Sequence, residues 1–224
     1  MGGPKTKPTD IHIPKVSQEQ VAKRFEKRYD IAVHDMAQKV FIPPLRSLES
    51  RISRAISRAK IKPENFSQDV DPMVKKEVQD YIRQNPGSLV SMYLKKYGFP
   101  YRVEISDADE KPSFAFDPYA VQSAISYEAG LLCLPGQPYS RNNIWGIANP
   151  EGGRTLSWFV DDTTFQGGLA VQVAKYLDPY LRKPLNVFKH NATEEQKPEL
   201  KQFHVTAGKD PNNKKRSAIT LSRT

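Results

Sequence analysis

Four cations recur at three- and four-residue steps in the stretch RSLESRISRAISRAKIK: Arg51, Arg54, Arg58 and Lys62. On a helix turning about 100° per residue, with Arg51 at zero, they fall between about −60° and 20°. Ser50, Ser53 and Ser57 fall between about 200° and 260°, and Leu45, Leu48, Ile52, Ala55, Ile56 and Ala59 between about 40° and 140°. The helix therefore has three faces. The apolar face has the width of a helix packed on a core. The basic face gains nothing from folding alone, because like charges at these spacings repel by a few tenths of a kcal/mol per pair, and only Glu49 is near in sequence to offset them. A polyanion reverses that balance. Guanidinium groups beside hydroxyls suit phosphate oxygens, and an acidic protein surface is the alternative partner. The same residues, read as RISRAIS, place arginines two or three positions before Ser53 and Ser57, as in basophilic-kinase substrates. A phosphate there would cancel much of the row.

A second group is acidic. In LSWFVDDTTF an apolar, strand-like run delivers Asp161 and Asp162 at a turn. Paired carboxylates at a strand end can hold Mg²⁺ for phosphoryl or nucleotidyl transfer. The string resembles the aromatic-x-Asp-Asp motif of reverse transcriptases, with Phe159, Val160, Asp161 and Asp162 in its four places. That resemblance implies a further metal-binding Asp on an upstream strand. Asp117 in FAFDPYAV is the nearest stand-in, although Pro118 after it marks it as a helix cap, and the chain is short for such a domain with its usual flanks. The competing reading is an acidic turn whose side chains make local hydrogen bonds.

Other chemistry is sparse. His12, His34, His190 and His204 are dispersed with no metal-ligand spacing, and the single Cys133 sits in the apolar GLLCLPG, so no cysteine-based zinc site and no cofactor is expected. No serine lies in a GxSxG elbow. FQGGLAV follows a strand and opens a helix, so an anion could sit at its N-terminus. Tyr93, Tyr97, Phe99 and Tyr101 lie beside Lys95, Lys96 and Arg102, an arrangement that either stacks single-stranded nucleic acid or simply packs a core. MGGPKT matches the N-myristoylation pattern at Gly2, and with Lys5, Lys7 and Lys15 would make a weak membrane anchor.

The charge map frames these candidates. The chain carries a net charge of +9, distributed as +8 over residues 1–98, −5 over 99–168 and +6 over 169–224. Basic ends around an acidic middle point to electrostatic partners for the ends. The tail contributes Lys214, Lys215 and Arg216 as a second basic cluster. No apolar run approaches a membrane span, and the N-terminus has no secretory h-region. Eighteen prolines predict frequent interruption of regular elements.

The elements that must position these residues follow from periodicity. Residues 1–16 read as a flexible arm. Ser17 and Gln20 form a capping box, and Val21, Phe25, Tyr29, Ala32, Met36 and Val40 make one helical face, which Pro43-Pro44 is expected to stop. The basic helix follows, with Pro44 near its first turn. A third helix is expected to start at Asp71-Pro72 with Val74, Val78, Tyr81 and Ile82 inward. A fourth runs from the Ser88 cap to Gly98 with Leu89, Met92, Tyr93 and Tyr97 inward. After Phe99 the pattern becomes strand-like in YRVEI, SFAF, LLCL, NIWGIA and RTLSWFV, the last two flanking a hairpin loop NPEGG. A helix follows Asp117-Pro118, another covers 169–182, and a short one is possible at 193–203. The residues from Ala207 read as a basic disordered tail.

The expected fold is α+β: a flexible arm (1–16), a segment of about four helices (17–98), a small mostly antiparallel sheet with one or two packed helices (99–203), and a flexible basic tail (204–224). The expected function is a non-enzymatic basic assembly protein, such as a capsid, nucleoprotein or ribonucleoprotein subunit. Its candidate nucleic-acid contacts, with RNA foremost, are Arg51, Arg54, Arg58, Lys62, Lys214, Lys215 and Arg216. Self-association and a cytoplasmic or virion location go with that reading. The alternatives are a Gly2-acylated peripheral membrane protein and a Mg²⁺-dependent enzyme on Asp161 and Asp162.

Overall fold

The computed structural model describes residues 18–105, 112–132, 156–182 and 203–223. The architecture is α+β. Helix α1 spans Gln18–Met36, and Phe25, Tyr29, Ala32 and Met36 of its expected face are buried. Pro43-Pro44 does not stop the chain. A π-helical turn, Ala37–Phe41, leads straight into α2, Ile42–Ala59. Ile42 donates its N–H to the Ala37 carbonyl, five residues back. The widened turn relieves the clash that proline rings make with the preceding turn, and the missing proline N–H groups fall in the first turn of α2, where they are tolerated.

A short 3₁₀ turn, Pro63–Asn65, precedes α3, Phe66–Gln84. This corrects the expected start at Asp71: the helix begins earlier, Pro72 lies inside it, and Asp71 pairs with Lys75 at 2.7 Å and accepts a hydrogen bond from Tyr101 Oη at 3.2 Å. Helix α4, Leu89–Tyr97, has the expected cap, with Ser91 N–H donating to Ser88 Oγ at 3.1 Å, and ends at Gly98 with φ 74°. Its buried face is Val90, Tyr93 and Leu94; Tyr97, expected inward, is 39% exposed.

Strands β1, Tyr101–Ile105, and β2, Pro112–Phe116, form an antiparallel pair in which Val103 faces Phe114. Helix α5, Pro118–Gly130, starts at Asp117, whose carboxylate accepts from the N–H groups of Tyr119 and Ala120. Strand β3, Leu156–Asp161, is followed by α6, Phe165–Leu181.

The basic tail is the main correction to the sequence reading. Strands β4, Phe203–Asp210, and β5, Asn213–Arg223, form a hairpin, and the second sheet has the order β3-β5-β4, all antiparallel. FHVTAG and SAITLS each alternate, putting Phe203, Val205, Ile219 and Leu221 on the buried face, and the polar KDPNNKK between them holds the turn at Pro211-Asn212. Its side chains brace it: Asn212 N–H donates to Asp210 Oδ1 at 2.8 Å, and Lys215 N–H to Asn213 Oδ1 at 3.0 Å. Among the described residues there are thus two small sheets rather than the one expected.

Helix α6 is the centre of the molecule. The three-stranded sheet and helices α1, α4 and α5 all pack against it. Leu169, Val173, Ala174, Leu177 and Leu181 are fully buried as a result. Polar ties, two of them buried, join the layers. Tyr29 Oη donates to the Ala129 carbonyl at 2.9 Å, Tyr180 Oη to Asp35 Oδ2 at 2.6 Å, and Val205 N–H to Asp178 Oδ1 at 3.0 Å. The helical and mixed segments therefore share one core. No described helix is long and apolar enough to cross a membrane.

Gly2, Lys5, Lys7, Lys15, His12, Cys133, His190, and the LLCL (from Cys133 on), NIWGIA, NPEGG and 193–202 readings lie outside the described residues.

Candidate nucleic-acid interface

Helix α2 is held on two flanks. On one, Arg51 reaches α3 and its guanidinium lies 2.8 Å from Glu77 Oε2. On the other, Glu49 Oε1 accepts the Phe116 N–H of β2 at 3.1 Å. Between them Ile42, Leu45, Leu48, Ile52 and Ile56 fill the core. Both flanks change the reading of the basic row. Arg51 has a partner within the fold, since Glu77 offsets a charge that looked unpaired in the sequence. Glu49, the one nearby offset, is turned away to cap a strand N–H.

What remains exposed on α2 is a face of Arg46, Ser47, Ser50, Arg54, Ser57 and Arg58. Two of its hydroxyls and one guanidinium lie down along the helix. Ser50 Oγ donates to the Arg46 carbonyl at 3.1 Å, Arg54 Nε to the Ser50 carbonyl at 3.0 Å, and Ser57 Oγ to the Ser53 carbonyl at 2.9 Å. The side chains of Arg46 and Arg58 have no partner among the described residues, and neither do Lys60 and Lys62 just beyond the helix. Lys60 sits in the left-handed region, φ 50° and ψ 48°, and closes the helix while turning the chain toward Ile61 and Lys62. Arg46 was missed in the sequence because it lies one turn ahead of the row. On the same wheel it stands at about 220°, among the serines rather than the arginines.

The second basic cluster is ordered on β5. Arg216 pairs in register with Asp161, and its guanidinium lies 5.0 Å from the centre of the Phe159 ring, a cation–π contact on an exposed sheet face. Lys214 and Lys215 are exposed at the hairpin turn, and the Lys215 carbonyl accepts the Asp162 N–H at 3.2 Å. The two clusters lie on different elements. Helix α2 packs on α3 and β2, whereas β5 lies between β3 and β4 on α6.

Asp161 and Asp162 have separate structural partners. Asp161 Oδ1 accepts from Thr163 N–H at 3.0 Å and Thr163 Oγ1 at 2.6 Å, and these bonds hold its carboxyl below the usual range. Asp162 Oδ2 forms an ion pair with Lys209 and accepts from Ser217 Oγ at 2.8 Å. Burial pushes the Asp162 carboxyl up, but those two bonds and the Lys209 charge together pull it down further. Asp117 is occupied as the α5 cap. Among the described residues, no group of three or more His, Cys, Asp and Glu comes together in a way that could hold a metal ion.

The start of α6 is likewise filled from within. Thr164 Oγ1 accepts the Gly167 N–H at 3.0 Å, and a Cβ on Gly167 would stand 1.7 Å from the Asp161 carbonyl oxygen. The aromatic group around α4 is largely core. Tyr93 is 1% exposed, Phe99 7%, and the Tyr93 and Tyr97 rings stack 5.3 Å apart. Burial pushes the Tyr93 phenol up to about 12. Tyr97 donates to the buried Glu128, which also pairs with Lys96, and burial first and that bond second raise its phenol well above the ordinary value.

No family model matches this chain, and no curated protein and no solved structure shows significant similarity to it.

Proposed function

We propose that this chain is a non-enzymatic assembly protein that contacts nucleic acid, RNA foremost, as a subunit of a virion or of an intracellular ribonucleoprotein. The observation that carries the reading is the outward face of α2. Arg46, Arg54 and Arg58 lie there with Ser50 and Ser57, and Lys60 and Lys62 follow, with no carboxylate among the described residues paired to any of them. Tertiary packing has met the charge of Arg51 and left these five. Guanidinium and ammonium groups beside hydroxyls bind phosphate oxygens without regard to sequence. Lys214, Lys215 and Arg216 are a second, separate contact, which suits a subunit touched by one polyanion, or by neighbours, on two sides.

The test is binding to labelled RNA across a salt series. The affinity should fall steeply with salt, and Arg54→Glu with Arg58→Glu should weaken it about tenfold or more and flatten the log–log slope by about 1–2. Unchanged affinity and slope in that double variant would overturn the assignment of this face.

A further inference from the structure

A cavity of about 350 Å³ opens beside this face, lined by Ser53, Ile56 and Ser57 of α2, Lys60 and Ile61 of the connection, Phe66 at the start of α3, and Pro112 and Phe114 of β2. We propose that it receives one unpaired nucleobase of a single-stranded nucleic acid whose phosphates lie along the α2 cations. This rests on the nucleic-acid reading of α2 and adds to it the class of strand recognised.

The lining has the three chemistries that such a ligand needs. Ile56, Phe66 and Phe114 supply apolar and aromatic surface, on which any base can stack. Phe114 packs with its ring nearly parallel to that of Phe99 at 6.3 Å and 5.2 Å from that of Tyr101. Ser53 Oγ has no hydrogen-bond partner among the described residues, and Ser57 Oγ, donating to the Ser53 carbonyl, keeps its lone pairs. Together they offer a donor and acceptors to a base edge. Lys60 belongs to the lining itself, and Arg58 and Lys62 are its close neighbours in sequence, so a backbone phosphate beside the inserted base would meet cations. The volume lies at the small end of ligand pockets, about 300 to 1,000 Å³, and has room for one ring system. Bases inside a duplex are stacked and paired and cannot enter it, so the cavity discriminates by strandedness.

The experiment uses the full chain and fluorescence anisotropy with three probes of equal length: an oligouridylate, the same backbone without bases, and a duplex. The parent protein should bind the oligouridylate about tenfold more tightly than the abasic strand. Ser53→Leu and, separately, Ser53→Gln fill the cavity from a half-exposed position without touching a charge or the phosphate-binding face. Each should erase that preference while leaving the salt slope unchanged, with circular dichroism melting used to check the fold. Equal affinity for oligouridylate and abasic strand, or tighter binding of the duplex, would overturn the cavity inference and leave the phosphate-binding reading standing. Failure to bind any of the three would overturn both.

Discussion

The Arg51 guanidinium lies 2.8 Å from Glu77 Oε2, joining α2 to α3 across the edge of the core. Its side chain is 33% exposed and that of Glu77 19%, so solvent weakens but does not remove the attraction. A double-mutant cycle of Arg51→Ala and Glu77→Ala should yield a coupling of about 0.5–1 kcal/mol in denaturant melts. Arg51→Ala should leave the salt slope of RNA binding within experimental error. A drop comparable to that of the Arg54 and Arg58 variant would return Arg51 to the binding face.

Glu49 offers a sharper contrast. It accepts the Phe116 N–H at 3.1 Å, so its acceptor matters more than its charge. Glu49→Gln keeps an acceptor and should melt close to the parent. Glu49→Ala leaves the N–H unpaired at a half-buried site and should cost about 1–3 kcal/mol. Equal melting of the two variants would show that the hydrogen bond contributes little.

The β3–α6 corner is closed by a glycine. A Cβ at Gly167 would lie 1.7 Å from the Asp161 carbonyl oxygen, a backbone atom that cannot swing aside, whereas one at Gly208 meets nothing within 4 Å. Gly167→Ala should therefore lose about 3 kcal/mol or fail to fold, while Gly208→Ala should stay within about 1 kcal/mol of the parent. Thermal melts of the two side by side decide it.

The carboxyls of Asp35 and Asp162 titrate below their ordinary range in the folded chain, Asp35 chiefly through the hydrogen bond from Tyr180 and Asp162 through Lys209 and Ser217 working against burial. In the unfolded chain they return to about 3.9. A depressed folded value means that the unfolded state binds the proton first, so each contribution is present in full above about pH 4–5 and is lost as pH falls through the lower folded value. Asp162→Asn should cost about 1 kcal/mol at pH 7. The gap from the parent should close as melts are taken from pH 5 to pH 3. A gap independent of pH would mean that the Asp162 charge contributes nothing.

Much of this fold was legible in the chain. The Leu45, Leu48, Ile52 and Ile56 stripe, the Ser88 and Asp117 caps, the Gly98 stop and the YRVEI and SFAF strands all rest on local periodicity or local hydrogen bonding, which a sequence displays directly. The tail was misread for a related reason. Lys214, Lys215 and Arg216 dominate its composition, while the alternation of FHVTAG and SAITLS is short and carries few large apolar residues, Phe203, Val205, Ile219 and Leu221. Without α6 to bury Val205, Ile219 and Leu221, the same residues have no reason to order.

The site divides along the same line. Sequence alone determined that α2 carries an apolar face and a basic one, because both follow from 3.6 residues per turn. It also held both readings of Asp161 and Asp162 open, since a turn and a metal site use the same residues. Only the tertiary structure decided which charges are spent within the fold: Arg51 on Glu77, Glu49 on Phe116, Asp162 on Lys209. Those partners stand between 26 and 67 positions away in the chain, and a charge's partner is set by distance in space, which no local pattern records. Arg54, Arg58 and Lys62 stood in the sequence already; Arg46 and Lys60 joined them, and Arg51 left them, only by that subtraction.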